Sequence, residues 1–135
     1  MKRKILFRGK RKNGQWVYGS LVVSENIAPA IYYEVGNGLV KQLDWCYVNP
    51  DTIGQYTGLK DKNGKKIFEG DVVRQVRTQP TTENEIITGV VTMIEGTWLI
   101  MNDNEQLASK LWSETDENEI IGNIYENKDI LEDKK

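Results

Sequence analysis

The 135-residue sequence contains no histidine and one cysteine, Cys46. Without histidine the chain lacks the commonest general base and the commonest transition-metal ligand, which excludes histidine-based triads. One cysteine can build neither a structural zinc site nor an intrachain disulfide. Long apolar runs are missing as well: every candidate is interrupted by Glu, Asp or Lys well short of the roughly 18–20 residues that span a bilayer. Met1-Lys2-Arg3-Lys4 leads into no apolar segment of signal-peptide length. These absences predict a soluble, cytoplasmic protein in a reducing compartment, with no membrane partner. Cys46 lies between Trp45 and Tyr47, Asp44 is its nearest charge in sequence, and no basic neighbour is in view to activate it. It reads as a buried, inert thiol.

What is present suffices for one domain, since a chain of this size buries roughly 65–70% of the surface its unfolded form exposes. The net charge of −2 conceals an asymmetry. Residues 1–12 carry seven bases and no acid, whereas residues 101–135 carry ten acids against four bases. The basic arm can bind phosphate, or it can pair with the acidic end of its own or a neighbouring chain.

The pattern along the chain is that of strands. Ile5-Leu6-Phe7-Arg8 and Trp16 to Val23 flank Asn13-Gly14, a pair suited to a type I′ hairpin turn, with Trp16 and Tyr18 on one face and Val17 on the other. Gly19-Ser20 is a candidate break or bulge in the second strand. Residues 27–48 hold short apolar bursts separated by Pro29 and Gly36-Asn37-Gly38. Further strands are expected near 52–56, 72–77, 86–94, 97–101 and 120–124, the pair 86–94 and 97–101 forming a hairpin about Glu95-Gly96. The polar segment 78–85 reads as a surface loop. One short helix is expected over 105–112, where Leu107 and Leu111 stand four apart among good helix formers, and a final helical turn near Ile130-Leu131. The fold class predicted is mainly β. Five short strands after residue 51 suit a small SH3-like barrel, with residues 1–50 as an additional N-terminal β-rich lobe of the same single domain, 1–135.

Motifs for chemistry are sparse. Asp61, Asn63 and Gly64 match part of a calcium loop but lack the remaining ligands, and Lys62 and Lys65 intrude, so a charged turn is the better reading. Gly64-Lys65-Lys66 has no upstream glycine at phosphate-loop spacing and no following Ser or Thr. Glu69 and Asp71 flank Gly70. In an extended strand they would share a face and could hold a metal, but in a tight turn they bond to nearby backbone N–H groups, the reading favoured here.

The string from Ile53 to Val73, Ile-Gly-Gln-Tyr-Thr-Gly-Leu-Lys-Asp-Lys-Asn-Gly-Lys-Lys-Ile-Phe-Glu-Gly-Asp-Val-Val, resembles the signature of the YopX family. Ile5-Leu6-Phe7-Arg8 is similar to that family's N-terminal strand, and Ile121 to Asn127 to its C-terminal motif. The resemblance implies a phage or prophage origin, hence a bacterial host cell, a β-rich fold with an SH3-like C-terminal part, and no established activity. The motif itself reads as scaffold: Gly58, Gly64 and Gly70 serve turns where a side chain would clash, and Tyr56, Leu59, Ile67 and Phe68 supply core.

Three functions are weighed on these residues. A non-catalytic protein-interaction or assembly module, meeting a host or phage protein or another copy of itself, is slightly preferred. The alternative is a nucleic-acid-binding module using Arg3, Lys4, Arg8, Lys10, Arg11 and Lys12 for phosphates, with Trp16 or Tyr18 stacking on a base. A metal-dependent hydrolase or nuclease built on Asp61, Glu69 and Asp71 comes third. No cofactor is expected.

Overall fold

The computed structural model describes residues 4–77, 85–103, 105–113 and 116–127. Arg3, most of the polar segment 78–85 and the expected turn at Ile130-Leu131 lie outside the described residues. Strands dominate, in two antiparallel sheets, and the chain divides into two compact units, Met1–Tyr56 and Thr57–Lys135.

The first unit is built from β1 (Phe7–Lys10), β2 (Trp16–Val22), β3 (Ala30–Asn37), β4 (Val40–Tyr47) and the start of β5 (Gly54–Lys60), with a 3-10 turn at Pro50–Thr52. The strands lie in the order β4-β3-β2-β1-β5. Alternation sorts their side chains: Val17, Ile31 and Val48 form the buried cluster, with Leu21, Tyr33, Cys46 and Ile53 packed on it, while Tyr32, Trp45 and Tyr47 fall on the opposite face. The hairpin about Asn13-Gly14 forms, but with a different turn. Gly14 N–H donates to the Arg11 carbonyl, Arg11 N–H to the Gln15 carbonyl, and positive φ is confined to Gly14. This is a type I turn closed by a glycine bulge, which needs one left-handed residue where type I′ needs two. β2 runs unbroken through Gly19, where a Cβ would stand 2.0 Å from the Tyr32 carbonyl oxygen.

In the second unit, the later part of β5 leads to β6 (Lys66–Phe68). The strands β7 (Asp71–Arg77), β8 (Ile86–Ile94), β9 (Thr97–Asn102), β10 (Leu107–Lys110) and β11 (Asp116–Asn123) then form a sheet in the order β10-β9-β8-β7-β11. Ile67, Val73, Ile87, Val91, Ile100 and Leu111 make its core, with Leu59, Trp98 and Ile120 packed against them. Glu95 and Gly96 both take positive φ, so this hairpin does use a type I′ turn.

Two expectations are corrected. The segment 105–112 is not a helix. Asn102 Oδ1 accepts the Glu105 N–H, Gln106 sits at φ +54°, and β10 then pairs with β9. A four-residue spacing is even, so Leu107 and Leu111 fit one side of a strand as well as one side of a helix, and the neighbouring β9 edge decides between them. Nor is a closed SH3-like barrel found among the described residues: their sheet is open, ending at β10 and β11. Where closure would need a β10–β11 ladder, side chains take the carbonyls instead. Gln75 Nε2 donates to Lys110 O and Asn118 Nδ2 to Leu111 O.

Gly58, Gly64 and Gly70 all have positive φ, but of these three only at Gly70 would a side chain also meet an obstacle, the Tyr125 ring at 2.9 Å. Gly64→Ala is expected to cost about 1–2 kcal/mol through backbone strain alone. Gly70→Ala should cost more, because the ring must also move. Comparison of their urea midpoints checks the order, and equal losses would show that Tyr125 yields freely.

Candidate functional site

Two of the three carboxylates set apart as metal ligands, Asp61 and Asp71, are occupied by the backbone. Asp61, at the start of the β5–β6 turn, is only 6% exposed. Its Oδ1 accepts the N–H groups of Asn63 and Lys65 at 2.9 Å each, and its Oδ2 accepts that of Ile120 at 3.1 Å. Burial raises the Asp61 pKa, but the three N–H donors together with the Lys65 charge outweigh it and hold the group below its ordinary value. Asp71 is buried and accepts the Phe68 N–H at 2.8 Å, closing the turn at Glu69-Gly70. For Asp71 the motif forms the tight turn expected of it, and no cluster of three metal-ligating side chains occurs among the described residues.

Cys46 has a basic neighbour that its sequence surroundings conceal. Arg11, 35 residues upstream, donates from Nε to Sγ at 3.3 Å and from Nη2 to the Tyr33 hydroxyl. The thiol is half-buried, and its bond to Arg11 raises the guanidinium pKa. Arg11 is thus tied into the first unit rather than projecting from an arm.

The remaining basic residues are placed by β1 and its turn. Arg8 is buried, its guanidinium carbon 4.5 Å from the Trp16 ring centre, and Lys10 Nζ lies 5.4 Å from the same centre. Trp16 is therefore covered by two cations. Lys4 and Lys12 are exposed. Lys10, Arg11 and Lys12 line one side of an open depression of about 540 Å³, and Tyr47, Asn49 and Pro50 line the other.

Sequence reasoning missed the aromatic face. Register places Arg8 opposite Tyr18, Lys10 opposite Trp16, Tyr32 opposite Trp45 and Ala30 opposite Tyr47, so all of these fall on the side opposite the Val17, Ile31 and Val48 cluster, with Arg8 and Ala30 buried there. Tyr32 and Trp45 stack with ring centres 6.2 Å apart, and Trp45 meets Tyr47 edge-to-face at 5.0 Å. Trp45 is 45% and Tyr47 51% exposed. The signal available in the sequence was the alternation Trp45-Cys46-Tyr47, which puts both rings opposite the cysteine.

The depressed pKa of Asp61 makes stability depend on pH with a definite sign. Its contribution is complete above the unfolded-state value of about 3.9 and is lost as pH falls through the lower folded value. Asp61→Ala is expected to lower stability by on the order of 3 kcal/mol near neutral pH, through three lost charge-assisted bonds. The gap from wild type should narrow at acid pH, below the unfolded-state value, as the wild-type carboxylate protonates. Urea titrations of both proteins at the two pH values check this, and a gap independent of pH would count against a charged Asp61.

Comparison with known proteins supplies a family. No curated protein matches the chain. Among solved structures, the crystal structure of protein EF1440 from Enterococcus faecalis is similar, with a TM-score of 0.60 and 22% identity over 96% of this chain and 99% of that one. This likeness extends to the fold. The family model described as YopX protein matches residues 6–132, nearly the whole length. The chain belongs to the YopX family.

Proposed function

We propose that this protein is a non-catalytic binding module and that its ligand is nucleic acid, taken on the first unit. The observation that carries this reading is the depression lined by Lys10, Arg11 and Lys12. It lies in a segment, residues 1–56, that holds eight bases against four acids, whereas residues 57–135 hold ten bases against sixteen acids. The overall −2 thus divides into +4 and −6. A protein of acidic pI holds phosphate only where its bases gather apart from its acids, and the first unit provides such a region. The hydrolase reading loses support because Asp61 and Asp71 already bond to backbone N–H groups.

The variant Lys10→Ala/Lys12→Ala leaves the bonded Arg11 in place. It is expected to weaken binding to any nucleic acid and to flatten the salt dependence by about 1.4 in the slope of log K against log salt, about 0.7 for each single-strand phosphate contact. Titrations at several salt concentrations read both effects. An unchanged slope would remove these lysines from the interface.

The same division of charge supports a second reading, assembly of copies through the basic unit of one and the acidic unit of another. Sedimentation velocity should then show association at low salt that dissociates at about 0.5 M, where the Debye length is only a few ångströms. A monomer at every salt concentration would exclude it.

A further inference from the structure

The basic depression does not end at its lysines. Its far wall includes Tyr47, the last ring of the row Tyr32, Trp45, Tyr47 on the outward face of β3 and β4. We infer that this face binds single-stranded nucleic acid, with unpaired bases stacking on Trp45 and Tyr47 while the adjoining phosphates sit against Lys10 and Lys12. This deepens the nucleic-acid reading above and rests on it.

Four features select this occupant. Bases in a duplex are stacked on each other and offer no free face to a ring, whereas unpaired bases do, and aromatic side chains are the usual sequence-tolerant platform for them. The rings sit on a sheet face, which lets successive bases spread out, and roughly half of each of Trp45 and Tyr47 is accessible. The acid on the same face, Glu34, is paired with Lys41 at 3.6 Å, so the carboxylate that would repel a phosphate is partly neutralised. Trp16, the ring singled out by sequence, is already covered by Arg8 and Lys10. The stacking positions therefore move to β4, and Lys10 stands between the covered ring and the depression.

The test is fluorescence anisotropy with labelled oligothymidylate, oligouridylate and a DNA duplex, each of about 15 nucleotides, a length within the site sizes of single-strand binders. The proteins compared are wild type, Trp45→Ala/Tyr47→Ala and Trp45→Phe/Tyr47→Phe. Far-UV circular dichroism and melting temperature verify that each folds. Wild type should bind a single strand more tightly than the duplex. The double alanine variant should lose about tenfold or more on single strands, and the phenylalanine variant should retain most of the affinity because it keeps the rings. Equal binding of single strand and duplex, or an alanine variant as tight as wild type, overturns the stacking inference while leaving the phosphate-binding reading intact. No binding of any nucleic acid at low salt overturns both, and the exposed rings then belong to a protein partner.

Discussion

The carboxylate of Asp61 holds the second unit in register. It sits at the turn between β5 and β6, almost removed from water, and its oxygens collect three backbone N–H groups from two distant stretches of chain. Two of those donors shape the turn, which Gly64 closes with its positive φ, and the third belongs to Ile120 in the middle of β11. Lys62 N–H adds a bond to the Asn118 carbonyl beside it. A buried carboxylate is tolerable only when it is fully hydrogen-bonded, so the turn and β11 must meet in one arrangement. β11 in turn pairs along β7, with its bulge at Ile121, and the core of the sheet follows from that pairing.

The open side of the same sheet is managed by a neutral buried group. Gln75 is fully buried, donates to Lys110 O and Asn118 Oδ1, and accepts from Ser109 Oγ. Asn118 also donates to Leu111 O. Backbone groups at the end of β10 thereby find partners without a further strand ladder. An unsatisfied buried carbonyl or amide costs about 1–3 kcal/mol, so these side-chain bonds do what barrel closure would otherwise have done for the backbone.

The first unit uses its sheet differently. One face packs Val17, Ile31 and Val48, and the other carries the row Tyr32, Trp45 and Tyr47 and, on β1 and β2, Arg8, Lys10 and Trp16. Aromatic residues suit strands on either face, but exposed rings in a connected row go beyond what the stability of a hairpin requires. The Arg11 bonds to Tyr33 and Cys46 fix the turn that carries Lys10 and Lys12, so the basic wall of the depression is built by the same contacts that hold the hairpin against β3 and β4. Under the nucleic-acid reading proposed above, charged and aromatic parts both positioned by the scaffold would bind at a lower ordering cost than a flexible arm.

The local structure was largely legible in the sequence. β-branched runs and turn dipeptides marked β2, β7, β8 and β9, and the long string from Ile53 to Val73 pointed to the family that the chain proves to belong to. Turn chemistry also read correctly for Glu69-Gly70-Asp71, because an acidic residue after glycine bonds to the backbone a few residues away. The helix expected at 105–112 failed because its leucine spacing satisfies both periods and only the neighbouring β9 edge resolves them. The barrel failed because closure depends on which side chains reach the last carbonyls, and Gln75 and Asn118 carry no pattern that says so. The bond of Arg11 to Cys46, and the placing of Lys10 and Tyr47 on one depression, span more than thirty residues of chain. The sequence by itself thus determined most of the strands and the family, since these follow from neighbours one to a few residues apart. Sheet order, the open edge and the joining of a basic turn to an aromatic row were decided by tertiary structure alone, because they depend on pairing between segments whose separation in sequence carries no local signal.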